Sequence, residues 1–221
     1  MAREDERLYE ALAEAIADQR LGPGTRLAEV EVAETYGSTR RHVERALLRL
    51  EADGLVSRRR HAGVAVATPS AEEARALFRT RHMIEGAVVR ELAADASRAT
   101  LMPLRINLRA EADARARGQT REAVRLSGAF HVLLAQATGS AEVATLVRRL
   151  VVRSALVTHL YGNREALACW NDDHGRLLDL LAAGAADAAA ALMQHHLAHV
   201  EQALRLPGGA GRRDLASVLA A

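Results

Sequence analysis

The chain has 221 residues, 49% hydrophobic and 26% charged, which excludes wholesale disorder and leaves room for two compact domains. Only 3% of residues are aromatic, so the cores must be built from Leu, Val and Ala, a composition that favours helices. The net charge of +2 excludes a bulk polycation, and no apolar run approaches the ~20 residues of a membrane helix.

The opening MAREDERLYE is charged where a signal peptide would be apolar, so a cytoplasmic protein with no membrane partner is expected. Residues 4–20 place Leu8, Leu12, Ala15 and Ile16 on one helical face, and Leu21-Gly22-Pro23-Gly24 stops that helix. A second helix is predicted over 28–36, with Val30, Val32 and Ala33 inward, and Gly37 supplies a tight turn. Ser38 or Thr39 then caps a third helix over 40–53, striped by Val43, Ala46, Leu47 and Leu50 and ended by Gly54. Two short strands, 55–59 and 63–68, flank Arg60-His61-Ala62. Three helices followed by a basic-tipped hairpin predict a winged helix-turn-helix over 1–68, with Pro69-Ser70 as linker. From Ala71 the pattern is helical, near 71–96, 99–117, 120–138, 141–161, 164–183 and 185–205, broken at Pro103, Gly118, Gly139, Gly162 and Gly184. Six antiparallel helices make a bundle, so the fold class is mainly α, and 207–221 is expected to be a flexible tail.

All 30 basic residues are Arg, and their distribution is uneven. Residues 1–37 hold four Arg against nine acids, whereas 38–67 hold seven against three. A basic block on a helix-turn-helix is the footprint of a phosphate-binding face, although a solvated arginine surface would have the same composition. In such a motif the second helix enters the major groove by its N-terminal end, here Thr39-Arg40-Arg41, with Arg45 and Arg49 further along. Thr39 can meet a phosphate, and an Arg can hold guanine O6/N7 with two hydrogen bonds. On the wing, Arg59, Arg60 and His61 are placed for phosphate or minor-groove contact. The partner is therefore double-stranded DNA. Cys169 is a lone thiol, excluding an internal disulfide, and reads as a small buried hydrophobe.

The stretch GPGTRLAEVEVAETYGSTRRHVERALLRLEADGLV, followed by RRRHAGVAV, resembles the DNA-binding domain of the GntR family of bacterial regulators. The resemblance implies that Thr39, Arg40 and Arg41 touch DNA and that Gly63 lets the wing backbone approach it. The chain departs from the family pattern at Glu44-Arg45, where Arg then Glu is usual, and at Val30, where some members carry a basic residue. LFRTRHMIEGAVVRELAA, LSGAFHVLLAQATG, and DDHGRLLDLLAAG with MQHHL resemble the helical ligand domain, FCD, of the FadR-like branch.

His131, His174 and His196 fall on three different helices, and bundle cores commonly build metal sites from facing helices. Imidazole suits Zn, Ni or Fe, and three ligands leave a position open for water or a carboxylate. The resemblance implies a fourth, carboxylate ligand one turn before the first His, a position held here by Ser127. It also implies that Arg81 faces the cavity and helps hold an acidic effector; Arg153, His159 and Tyr161 are expected to line the pocket as well. Arg81 and Glu85, four apart on a helix, equally suit a surface ion pair. The reading is a homodimeric, ligand-responsive repressor on a palindromic operator in the bacterial nucleoid, and not an enzyme. Two alternatives are a regulator for which the ion itself is the signal, and a metal-dependent enzyme. The second lacks a general base in an H-E-x-x-H setting.

Overall fold

A computed structural model of the chain describes residues 4–59, 63–94, 97–162 and 172–206. Arg60, His61, Cys169, the first part of the helix expected at 164–183 and the tail after Leu206 lie outside the described residues, as does the side chain of Arg59.

The head consists of α1 (Glu4–Ala17), α2 (Glu29–Tyr36), α3 (Arg40–Ala52), β1 (Val56–Arg59) and β2 (Gly63–Val66). Leu8, Leu12 and Ile16 of α1 meet Val43, Leu47 and Leu50 of α3, and Val56, Val64 and Val66 of the wing close the same core. The strands are antiparallel with Val56 opposite Val66 and Arg59 opposite Gly63, and Arg26 forms a further bridge to Ala65. Val32 and Ala33 of α2 are buried as expected, but Val30 is 47% exposed. An eight-residue helix presents one narrow stripe, and Val30 lies two residues, about 200°, from Val32. Gly37 turns the chain between α2 and α3 with φ +60°, a left-handed conformation that costs glycine nothing. Leu47 is fully buried in this core, so Leu47→Ala should cost about 3 kcal/mol and lower the urea midpoint accordingly.

Six helices follow among the described residues: α4 (Ala71–Ala94), α5 (Arg98–Ala116), α6 (Thr120–Ala137), α7 (Ala141–Tyr161), α8 (Asp173–Ala182) and α9 (Ala186–Gln202). Ser70 and Glu73 cap α4 reciprocally, each side chain accepting the other's backbone N–H at 3.2 and 2.7 Å. Ser97 and Ser140 cap α5 and α7 through Thr100 and Val143 N–H. Pro103 does not break the bundle's second helix; α5 begins at Arg98 and runs through it. Val89, Leu92, Leu104, Phe130, Leu134, Leu177, Met193 and Leu197 form the main bundle core. Gly86 leaves room on α4 for the Gln194 side chain of α9, whose Nε2 would lie 2.6 Å from a Cβ there.

Helix α7 belongs to both parts. Its Val152 and Leu156 complete the head core, while its Leu150 and Val157 pack with Ala74, Leu77 and Phe78 of α4.

Candidate functional site

Two groups of residues stand out, one on the head and one inside the bundle. On the head, the start of α3 is set by Thr39, whose Oγ1 accepts from His42 N–H at 3.3 Å. Thr39, Arg40 and Arg41 are exposed, and Arg40 lies 3.8 Å from Glu29. Arg45 is half-buried one turn on. Arg49 points elsewhere: its guanidinium makes two bonds to Glu6, at 2.6 and 3.1 Å, and lies 4.3 Å over the Tyr9 ring. It clamps α3 to α1, so its place on the DNA-facing side is a correction to the helical projection. Gly63 is exposed at the wing with φ +76°, and Arg26 Nε lies 3.9 Å from where its Cβ would be. Arg26 thus brings to the wing a guanidinium that the helix-turn-helix pattern did not single out. Arg58 is held by Glu51 and Glu29 at 3.6 and 3.9 Å.

Inside the bundle, α6, α8 and α9 bring His131, His174 and His196 together, with a ligand nitrogen of each within 4.8 Å of the others. Each ring rests on a different carboxylate. Nδ1 of His131 is 2.6 Å from Glu85, that of His174 is 3.3 Å from Glu111, and that of His196 is 3.5 Å from Asp173. All three carboxylates are buried. The contacts of His131 and His174 are hydrogen bonds, which leaves Nε2 of these two rings for a ligand, and His174 Nε2 is buried with no hydrogen-bond partner; Asp173 Oδ2, facing His196, is likewise buried without one. Phe130 stacks on the His174 ring at 4.2 Å and fixes its plane.

Burial holds the His131 and His196 rings neutral. Desolvation pushes His196 down to about 2, helped by His131 and His174, and it also lowers His131 despite the nearby Glu85 charge. Burial would raise the Glu85 carboxyl, but the Arg81 guanidinium and the His131 ring outweigh it and hold it well below the usual range. Buried imidazoles, two of them with Nδ1 hydrogen-bonded to a carboxylate, are the kind of donor set a divalent ion needs. Nitrogens on one tetrahedral zinc ion at about 2.1 Å stand ~3.4 Å apart, so the trio, whose ligand atoms lie within 4.8 Å, would close by up to about 1.4 Å around it. The residues fit the group.

Arg81 is buried, not on the surface, and its pair with Glu85 is an interior one at 2.6 Å. It also donates through Nη1 to Ser154 Oγ of α7 at 3.3 Å. Three of its five N–H groups are used, which leaves one on each terminal nitrogen. Arg81, Ser127, the three histidines and Asp173 line one cavity of about 1120 Å³, which also reaches His199 and, between bundle and head, Tyr9, Asp53 and Arg149.

Arg153 and His159 do not line this cavity; both belong to the face of α7 turned to the head. The Arg153 guanidinium lies against Gly54, 3.3 Å from where a Cβ would be, and His159 lies 3.4 Å from the corresponding point of Gly22. Tyr161 donates its hydroxyl to the Pro69 carbonyl at 2.9 Å and ties α7 to the linker. Glu111 and Asp173, which complete the histidine pairs, had no sequence signal beyond polar residues falling in otherwise apolar stripes. Asp173 does adjoin His174 in the chain.

No match is found among curated proteins. Among solved structures, the chain is similar to a GntR transcriptional regulator from Rhodococcus sp. RHA1, with 26% identity and a TM-score of 0.76 over 90% of this chain and 95% of that one. It shares the fold of E. coli McbR/YncC, with a TM-score of 0.78 at 19% identity over 91% and 99% of the two chains. The family model for bacterial regulatory proteins of the gntR family matches residues 4–66, and that for the FCD domain matches 76–199. Head and bundle are thus each matched in chain order, and the chain belongs to the GntR family, as a DNA-binding transcription regulator with an FCD effector-binding domain.

Proposed function

We propose that this regulator is a repressor gated by a small organic acid, which the bundle takes up with the help of a divalent ion on His131, His174 and His196. The observation that carries this reading is the separate buried carboxylate behind each ring. On His131 and His174 the hydrogen-bonded carboxylate keeps the ring proton on Nδ1, fixes the ring's orientation and raises the basicity of Nε2. When bound, the ion supplies positive charge and an open coordination position; Zn, Ni and Fe all suit imidazole.

The charge count makes acid uptake depend on that ion. Arg81, Arg115 and Arg176 stand against Glu85, Glu111 and Asp173, three positive charges against three negative, which gives an anion no net attraction. Two further positive charges supply it. Arg81 then offers its two remaining N–H groups to a carboxylate, a geometry suited to bidentate binding. Ser127 lines the same cavity but offers only a hydroxyl where the family has a carboxylate ligand, which leaves that role to water or to the acid itself.

On the head, Thr39, Arg40, Arg41 and Arg45, with Gly63 and Arg59, Arg60 and His61 of the wing, are our DNA-contact set. The division that accompanies it is a head of 1–68, a linker of 69–70 and a bundle of 71–206. Two chains pair so that two copies of α3 meet successive major grooves ~34 Å apart on a palindrome. The acid must bind the DNA-competent and released states with different affinity, or it switches nothing.

The test is binding of a fragment from the gene's own upstream region by zinc-loaded and chelated protein, with adipate as the probe acid. Adipate should weaken binding by the zinc-loaded protein by roughly 5–150-fold and leave the chelated protein unchanged. Loss of DNA binding on chelation alone would make the ion the signal. An equal response of both forms would remove the ion from the account.

A further inference from the structure

Helix α7 has two working faces. Leu150, Ser154 and Val157 look into the bundle, where Ser154 meets Arg81. Arg149, Val152, Arg153 and Leu156, spaced i, i+3, i+4 and i+7, look at the head, and Val152 and Leu156 are part of its core. On this second face Arg149 Nε lies 2.7 Å from Oδ1 of Asp53. Asp53 is the C-cap of α3, the helix that carries the DNA-contact set, and its backbone N–H donates to Arg49 O. Its other oxygen accepts from Tyr9 Oη of α1 at 2.5 Å. Burial, then Asp53, pushes the Tyr9 hydroxyl up to about 12, so it remains a donor. One buried carboxylate therefore joins α1, α3 and α7.

Arg149 is half-exposed, and it lines the same cavity as Arg81 and the three histidines. The neighbouring Arg148 also lines it and forms no ion pair among the described residues. The cavity is thus shared between bundle and head, with Tyr9, Ala13 and Ala17 of α1 in its wall.

We propose that Arg149 is a second anion-binding residue of the effector site, and that Asp53 is the internal anion occupying it when no ligand is bound. This rests on the reading of the cavity as an effector site. An acid with a second acidic group competes with Asp53 for Arg149. Once displaced, Asp53 is a buried carboxylate without its cation, an expensive state that is relieved when the head moves and admits water. The ligand's preference for the released state arises at this pair, which supplies the differential affinity a switch requires. Ser154, which touches Arg81, lies five residues beyond Arg149, about 7.5 Å along the helix and roughly 140° around it, so the two guanidinium groups are separated by more than that rise. The ligand class is therefore a dicarboxylate with several bonds between its acid groups.

The experiment is calorimetric titration of the zinc-loaded full chain with adipate and with hexanoate, its monoacid counterpart of similar length. Asp53→Asn keeps an acceptor for Tyr9 but frees Arg149; it should bind adipate about tenfold more tightly and hexanoate as before. Arg149→Gln should lose the preference for adipate over hexanoate. Thermal melts report whether each variant is folded, and should Asp53→Asn fail to fold, the acid preference of Arg149→Gln decides. No gain in adipate binding by folded Asp53→Asn, or an equal gain for both acids, overturns the proposal. Unchanged binding in both variants, with Arg81→Gln abolishing it, overturns the latch while leaving the effector site in place. Absence of carboxylate binding by wild type and all variants overturns both.

Discussion

Replacing Arg40 and Arg41 together by Ala should weaken operator binding about 100-fold, with the slope of log K against log salt shallower by roughly 2. The first figure follows if each guanidinium holds a base edge or a phosphate. A base-reading pair is worth about 1–3 kcal/mol, and each phosphate contact contributes about 0.9 to the salt slope. Both side chains are exposed, and the one nearby carboxylate, 3.8 Å from Arg40, is a weak surface partner. Folding stability should therefore change by no more than about 0.5 kcal/mol. Arg49→Ala is the contrasting variant. Its side chain is spent on Glu6 and Tyr9, so the change should loosen α1 on α3 while leaving the salt slope unaltered. An anisotropy titration across a salt series measures all of these. An unchanged slope in Arg40→Ala/Arg41→Ala would remove these residues from the DNA contact.

His174→Ala should abolish the stabilisation that zinc confers, which amounts to about 2.7 kcal/mol when free zinc is 100 times its dissociation constant. In His174 the Nε2 atom is buried without a partner, and the ring is held by the stacked Phe130 and by Glu111 at Nδ1. The substitution also leaves a hole beside Phe130, so the comparison is the zinc-induced shift in melting temperature within each variant. Glu111→Gln is the milder probe. It retains all three rings but removes the negative charge behind His174, and should cost about 10–100-fold in zinc affinity. A zinc-induced shift in His174→Ala equal to that of wild type would show that zinc stabilises the chain elsewhere.

The order of elements was legible because each helix carries a stripe at helical spacing and each break carries Gly, Pro or a capping Ser or Thr. Leu8, Leu12 and Ile16, and Val43, Leu47 and Leu50, are buried as their spacing predicts. The site was legible in part. Three histidines on three helices could be singled out, but not the carboxylates behind them. Glu111 shares the inward stripe of α5 with Leu104, Asn107 and Ala114, and a polar residue in such a stripe looks like the edge of a solvated face. Arg81 and Glu85 likewise have the spacing of a surface pair, yet they are buried because α4 is enclosed by α6, α7, α8 and α9. The α7 residues went astray for a related reason. That helix is apolar on two sides, one for the bundle and one for the head, and periodicity alone cannot say which partner each side meets. Arg153 and His159 accordingly lie against the head.

The metal content of protein purified without added metal, measured by mass spectrometry alongside Glu111→Gln and His174→Ala, tests the central claim most directly. The account predicts about one divalent ion per chain in wild type, held by neutral imidazole nitrogens, less in Glu111→Gln and none in His174→Ala. A wild-type chain that stays metal-free even after incubation with zinc, nickel and iron, yet still releases DNA on adding adipate, would contradict it.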